Sequence, residues 1–308
     1  MKIFQDWNDF WFRPHNLWAI GAFRIALGSI YLIKLLLLLP VIDDFFTEHG
    51  MYPFLQSKQF VSPRLCLFDY LPLDIAPQFF ALMILITILF TCGLSTRVMS
   101  ILMYIGSVSI EYRDPLPFNS GDRIVIIFLF FGMFAPWGKI LSLDRLIAKR
   151  RGRAAEEPVM GSYWAARMMQ IQVCIMYFWS AYLKTQSSYW QSGETMYWVL
   201  RNFGRTRFPI PSFFSDNMIG VNLITYFALI VEGLFPFLVW SKRTRKYIIP
   251  AAILLHLGIE WSMNVQIFQI IAVASYLLFY EGEEIREAWQ RIKNFLIKGI
   301  QLLSLPQE

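Results

Sequence analysis

Long apolar runs alternate along the chain with short polar, basic or turn-rich stretches. About 20 predominantly apolar residues cross the hydrocarbon core of a bilayer as a helix, which satisfies its own backbone hydrogen bonds there. Eight runs are candidates: 17–39, 75–90, 98–110, 124–134, 163–183, 219–240, 247–261 and 268–280. The third and fourth are the shorter ones. Turn signals at Cys92-Gly93-Leu94-Ser95 and Pro136-Trp137-Gly138 bound two of the runs, and the last pair is joined tightly. Ahead of the first run, Ile3, Phe4, Trp7, Phe10, Trp11 and Phe12 recur at helical spacing beside Lys2, Asp6, Asn8 and Asp9. After the eighth, Ile285, Trp289, Ile292, Phe295, Leu296 and Ile300 repeat that pattern among Arg286, Arg291, Lys293 and Lys298. Both patterns predict helices lying in the membrane interface. The expected fold is therefore all-α: a polytopic membrane helical bundle of about eight transmembrane helices in one domain. An interfacial helix over 1–14, the bundle over 15–280 and an interfacial C-terminal helix over 281–308 make up the chain. The first run carries Arg24 and Lys34 and has no A-x-A cleavage site, so it is expected to be retained rather than removed as a signal peptide.

Composition agrees with the pattern. Of 308 residues, 56% are hydrophobic and 16% charged, against about a quarter charged in soluble domains. Cys66, Cys92 and Cys174 lie far apart, form no redox or zinc spacing, and are expected to be buried thiols. The net charge of +6 is gathered in clusters between apolar runs, which suits membrane lipid as the partner and not nucleic acid. One cluster is Lys139, Arg145, Lys149, Arg150, Arg151 and Arg153; another is Lys242, Arg243, Arg245 and Lys246. Cytoplasmic loops are enriched in such residues, so both termini are expected inside, in the inner (cell) membrane of a bacterial-type cell. Two longer segments, 41–74 and 184–217, then face outward. In the second, Ser192 is expected to cap a short helix through Met196, Tyr197, Trp198 and Leu200 that Gly204 stops.

A charge at the centre of a lipid-exposed helix costs about 2.5 to 3.5 kcal/mol on insertion scales, so such residues find partners or line cavities. Lys34 and Arg167 sit near span ends, where snorkelling explains them. Arg24 lies deeper and is expected to pair with a carboxylate such as Glu232, as structural glue or within a site for an anionic substrate. His256 and Glu260 share one helical face with Asn264. Three readings stay open for them: metal ligands, a polar seam between helices, or the wall of a substrate cavity. Lys184 ends the fifth span and is either another snorkelling lysine or, if the outer loop covers it, a neutral amine able to remove a proton. The nucleophile elbow, the Walker loop, the dinucleotide fingerprint, H-E-x-x-H and the kinase motifs are missing, which disfavours conventional hydrolase or nucleotide-driven chemistry.

Several segments, in order, resemble the HTTM family, the membrane domain shared by vitamin K-dependent gamma-carboxylases and many bacterial proteins. They are Phe23-Arg24-Ile25-Ala26-Leu27-Gly28, then Phe45-Phe46-Thr47-Glu48-His49-Gly50 with Pro53, then Asn119-Ser120-Gly121-Asp122 and Leu141-Ser142-Leu143-Asp144. Tyr177-Phe178 with Lys184, Trp190 and Gly193, Glu232, and the helix of His256 follow. The resemblance implies an outward-opening cavity in which Lys184 matches the lysine that carboxylases use as base, with a reduced quinone of the vitamin K type as possible cofactor. Arg24, His49, Trp190, Glu232, His256 and Glu260 are the residues expected to bind substrate around it. Where carboxylases carry a histidine before the fourth span, this chain reads Asn119-Ser120-Gly121-Asp122, and these 308 residues hold no counterpart of their large lumenal domain. Two functions follow. The first is maturation or export of a partner peptide or small membrane protein at the outer face, as for the family member that matures a sporulation-delaying peptide. The second is a carboxylase-like, quinone-dependent lyase or oxidoreductase. A transporter would show inverted repeats, and none is evident.

Overall fold

A computed structural model describes residues 2–47, 50, 66–113, 118–154, 157–201, 207–263, 265, 267 and 268–303. Helix α1 (Lys2–Phe12) leads through a two-residue strand (His15–Asn16) into α2 (Trp18–Leu38) and the short α3 (Ile42–Phe46). Then come α4 (Ala76–Cys92), α5 (Thr96–Arg113), α6 (Ser120–Gly132) and α7 (Leu143–Arg150). A second short strand (Met160–Gly161) pairs antiparallel with the first, His15 opposite Gly161 and Asn16 opposite Met160. Helix α8 (Trp164–Thr185) is followed by the short α9 (Ser188–Gln191), α10 (Thr195–Leu200) and α11 (Ser212–Ser215). Helices α12 (Met218–Leu238), α13 (Lys242–Ser262) and α14 (Phe268–Ser275), the last prolonged by a 3-10 turn to Phe279, precede α15 (Gly282–Leu303).

All eight apolar runs are thus helical. By length and composition, two helical segments suffice to cross a bilayer, Trp18–Phe46 and Met218–Leu238, while Ala76–Cys92 and Phe268–Phe279 are shorter apolar helices. The others are diluted by polar groups: α5 buries Ser100, Ser107, Ser109, Glu111 and Arg113, and α13 opens on four basic residues in its first five. The bundle's surface exposes Ile33, Leu37, Leu82, Leu85, Ile175, Phe178, Phe237 and Leu254 on five of its longer helices, large apolar side chains that lipid would cover. Helix α1 leaves Ile3, Phe4, Trp7 and Phe12 exposed, and α15 leaves Trp289, Ile292, Phe295 and Leu296 exposed. Both are amphipathic and little covered by protein.

Helix α2 packs most extensively on α4, and α8 on α12. The first contact is close because a side chain at Gly28 would meet Thr91 Oγ1 at 2.2 Å. One end of the bundle, the basic end, carries Lys149, Arg150 and Arg151 at the close of α7; α8 finishes at the far end. At the basic end, α4 stops at Gly93, whose φ of +75° suits glycine. The missing Cβ also admits the Arg24 guanidinium, since a Cβ at Gly93 would sit 2.7 Å from Arg24 Nη1. Arg24 is fully buried and donates to the carbonyls of Trp137 (2.7 Å), Leu141 (2.5 Å), Ile140 and Thr91 (3.4 Å each). It therefore staples the 137–141 loop to α2 and does not reach Glu232; four backbone carbonyls left over by the turn take the place of the expected carboxylate. Beside it Asp144 accepts from Ser95 N (2.7 Å), Thr96 N (2.9 Å) and Thr96 Oγ1 (2.6 Å). Burial pushes this carboxyl up, but the hydrogen bonds from Thr96 and Ser95 and the charge of Arg24 outweigh it and hold it below the ordinary carboxylate value.

Three further expectations are corrected. Lys34 does not snorkel: it forms a buried ion pair with Asp122, the two side chains 8% and 3% exposed, under the Phe118 ring at 4.0 Å. Asp122 stands at the third position of α6 inside a capping box with Asn119, so its carboxylate is already fixed where α2 passes. Arg167 is half-buried and donates to Phe10 O (3.2 Å) and Gln170 Oε1 (3.0 Å), because α1 folds over it. Cys66 and Cys174 are buried, but Cys92 is exposed at the last turn of α4.

Candidate functional site

Helices α8 and α12 approach along small residues, with Gly233 facing the Ala181 methyl. This close contact sets the polar residues beside it, Ser180 and Glu232, against each other, with Lys184 three residues beyond Ala181 on α8. Lys184 donates to Glu232 in an ion pair whose side chains are 22% and 8% exposed. Ser180, one turn before Lys184, donates to the other carboxylate oxygen at 2.9 Å. Trp190, on the short helix α9 that folds back after α8, places its ring 4.8 Å from Lys184 Nζ, within cation–π range. Glu232 lies fourteen residues into α12, about 21 Å along the helix from its start at 1.5 Å per residue. Lys184, the last residue but one of α8, thus turns its ammonium to a carboxylate two-thirds of the way along α12.

A second network adjoins it. His256 is buried on α13, with Nε2 joined to the Tyr177 hydroxyl at 2.5 Å and Nδ1 bonded to Gln269 Oε1. The Tyr177 hydroxyl also bonds that of Tyr276. Glu232 lies within electrostatic range of Tyr177, Tyr276 and His256, and Lys184 within range of His256. Val265 and Phe268, at the entry to α14, link this network to the Lys34–Asp122 pair. Asn119 Nδ2 donates to Val265 O at 3.3 Å, Phe268 lies 5.9 Å from the His256 ring, and a Cβ on Gly121 would stand 2.8 Å from Phe268 Cα.

Four of the expected site residues, Lys184, Glu232, Trp190 and His256, come together. Arg24 lies with the basic-end loop, as described above. Glu260 does not work with His256: it pairs with Arg207, because one turn beyond His256 the helix leaves the core and meets the 207–209 segment, where Trp261 Nε1 donates to Pro209 O at 3.2 Å. His49, Asn264 and Gly204 lie outside the described residues. Ser192 closes α9 and does not cap α10, which begins after Glu194 with no side-chain cap. Sequence reasoning missed Ser180, Tyr276 and Gln269; Ser180 precedes Lys184 by one helical turn, and that spacing was the available signal. Among the described residues no three His, Cys, Asp or Glu side chains cluster as metal ligands.

To remove a proton, Lys184 must first pass its own to Glu232 or to solvent, since the ion pair occupies it. A reduced quinone needs a planar slot and unpaired polar groups at its oxygens. Around His256 the Tyr177 and Phe235 rings stack on each other with centroids 4.2 Å apart, and Tyr177, Tyr276, His256 and Gln269 are bonded among themselves. These residues do not fit a quinone.

The sequence family described as HTTM domain matches residues 12–283, nearly the whole chain. The chain belongs to the HTTM family. It is thus a membrane protein of the family related to vitamin K-dependent carboxylases, which accounts for the apolar surface of the bundle. No curated protein and no solved structure matches it.

Proposed function

We propose that this HTTM protein matures a partner peptide at the face of the membrane where α8 ends, the peptide docking at the Lys184–Glu232 pair beneath Trp190. The observation that carries the reading is an ion pair at the end of α8 whose carboxylate is buried while its lysine keeps 22% of its side chain accessible under a single aromatic ring. Lys184 has three N–H donors and spends one on Glu232, leaving donors for a peptide carboxylate or carbonyl. The cap of α9, α10 and α11 around it exposes Tyr189, Trp198, Phe213 and Phe214, residue types enriched at membrane interfaces and in binding surfaces. Cross-linking through the 184–217 segment under native expression tests this. One dominant peptide or small membrane protein is expected, and the absence of any would overturn it.

In the same reading all eight apolar helices cross the inner membrane, both termini are cytoplasmic, and α1 and α15 lie on lipid. The clusters at Lys139–Arg153 and Lys242–Lys246 support that orientation. Impermeant thiol labelling of single cysteines at Ser187 and Lys149 is expected to modify the first and spare the second from outside the cell.

A second reading, a carboxylase-like enzyme with Lys184 as base, is favoured by one observation: Lys184 stands two helical turns along α8 from Tyr177, whose hydroxyl meets His256 Nε2 at 2.5 Å. It requires proton exchange at carbon in a bound peptide, read as deuterium uptake from heavy water by mass spectrometry and abolished by Lys184→Ala; uptake unchanged in that variant removes Lys184 from any such chemistry.

A further inference from the structure

A cleft of about 390 Å³ opens at the basic end, far from Lys184, lined by Arg97, Phe134, Trp137, Lys139, Ser162 and Trp164 among others. Nothing described above uses it. Arg97 and Lys139 are both exposed and have no ion-pair partner among the described residues, unlike Arg145, Arg245 and Arg286 nearby, which are paired. Asp144 also lines the cleft, but both its oxygens are taken by Ser95 and Thr96, so its charge is directed to the start of α5. Apart from Thr96 and Ser162, the remaining wall is aromatic and apolar, with the Phe134 and Trp164 rings 5.5 Å apart. Beside the cleft, α7 turns Leu143, Leu146 and Ile147 outward together with Lys149 and Arg150, the face of a helix lying in a headgroup layer.

We infer that this cleft binds the phosphate-bearing headgroup of an anionic phospholipid from the leaflet at the basic end. Arg97 and Lys139 both face the phosphate, and Phe134 and Trp164 meet the glycerol and the first methylenes. Two cations without an ion-pair partner among the described residues, over a largely apolar wall at a membrane boundary, select a molecule with an anionic head and an apolar tail. A zwitterionic lipid would bring its own cation toward Arg97. A free phosphate would leave the aromatic wall uncovered.

The full-length protein, purified in a zwitterionic detergent, is equilibrated with mixed micelles of equal phosphatidylglycerol and phosphatidylcholine, and the retained lipid is quantified by mass spectrometry. The wild-type protein is expected to retain phosphatidylglycerol in preference by at least about fivefold, the effect of one cation near a headgroup. Arg97→Gln/Lys139→Gln is expected to bring the ratio close to one, whereas Lys149→Gln/Arg150→Gln on α7 leaves it unchanged. Lys139→Gln alone, at an exposed side chain with no ion-pair partner among the described residues, is expected to lower the ratio and stands in if the double variant is unstable. No preference in the wild type, or an equal loss in the α7 variant, would overturn the site. Displacement of the lipid by an excess of inorganic phosphate would identify soluble phosphate as the occupant and overturn the lipid assignment.

Discussion

Replacing Glu232 with glutamine keeps the shape of the site and removes the carboxylate that Lys184 faces. Breaking a fully buried ion pair by removing one partner costs about 3 to 5 kcal/mol, because the other charge is left uncompensated. Lys184 keeps 22% of its side chain exposed and can turn toward solvent, so Glu232→Gln is placed lower, at about 2 to 3 kcal/mol. Lys184→Met strands a carboxylate only 8% exposed with Ser180 as its remaining donor, and is placed at about 3 to 4 kcal/mol. The double variant contains no stranded charge and should lose less than the sum, with a coupling of about 2 kcal/mol. The cycle is measured by titrating the purified protein in mixed micelles with a denaturing detergent and following helical circular dichroism. Losses that add to within about 0.5 kcal/mol would show that the two residues do not hold each other, and the site as drawn would fail.

Other consequences follow from the surrounding structure. Arg24→Lys replaces a planar fork spread over four carbonyls by a point charge, and should cost at least about 2 kcal/mol. It should also speed amide exchange in residues 137–141, and unchanged exchange there would refute the staple. The Asp144 carboxyl titrates below its ordinary 3.8, so its contribution is complete above that pH and is lost as pH falls through the lower folded value. Asp144→Asn should be less stable at neutral pH yet lose less on acidification, and parallel acid limbs for the two proteins would contradict this. Gly121→Ala would press a methyl to 2.8 Å from Phe268 Cα and should cost about 1 to 3 kcal/mol by overpacking. The neighbouring exposed Ser120→Ala should stay within about 0.5 kcal/mol, and equal effects at the two positions would deny the close contact of α6 with α14.

The helices were legible because apolar runs of this length have few alternatives, and each predicted run is found as a helix within a few residues. Which charged groups meet was much less legible. Lys184 and Glu232 stand 48 residues apart, and Lys34 and Asp122 88 apart; helical periodicity orders residues within an element but says nothing of which faces are brought together. Arg24 shows why a carboxylate is an unsafe guess for a buried arginine: the carbonyls of a tight loop satisfy it equally well, and they leave no mark in the sequence. Lys34 was misread for the opposite reason, since a flexible stem near a helix end permits snorkelling but does not require it when a capping aspartate is already in place. The pairing of His256 with Glu260 failed because sharing a helical face does not mean sharing a neighbour: one turn along, the surroundings change from bundle core to loop.

The central claim is that a peptide reaches the Lys184–Glu232 pair from the α9–α11 side. A photoreactive amino acid introduced in place of Trp190 in the full-length protein, irradiated in native membranes and analysed by mass spectrometry, addresses it directly. A discrete peptide adduct that weakens when Glu232→Gln is added is expected, whereas adducts to lipid alone, unaffected by that substitution, would contradict it.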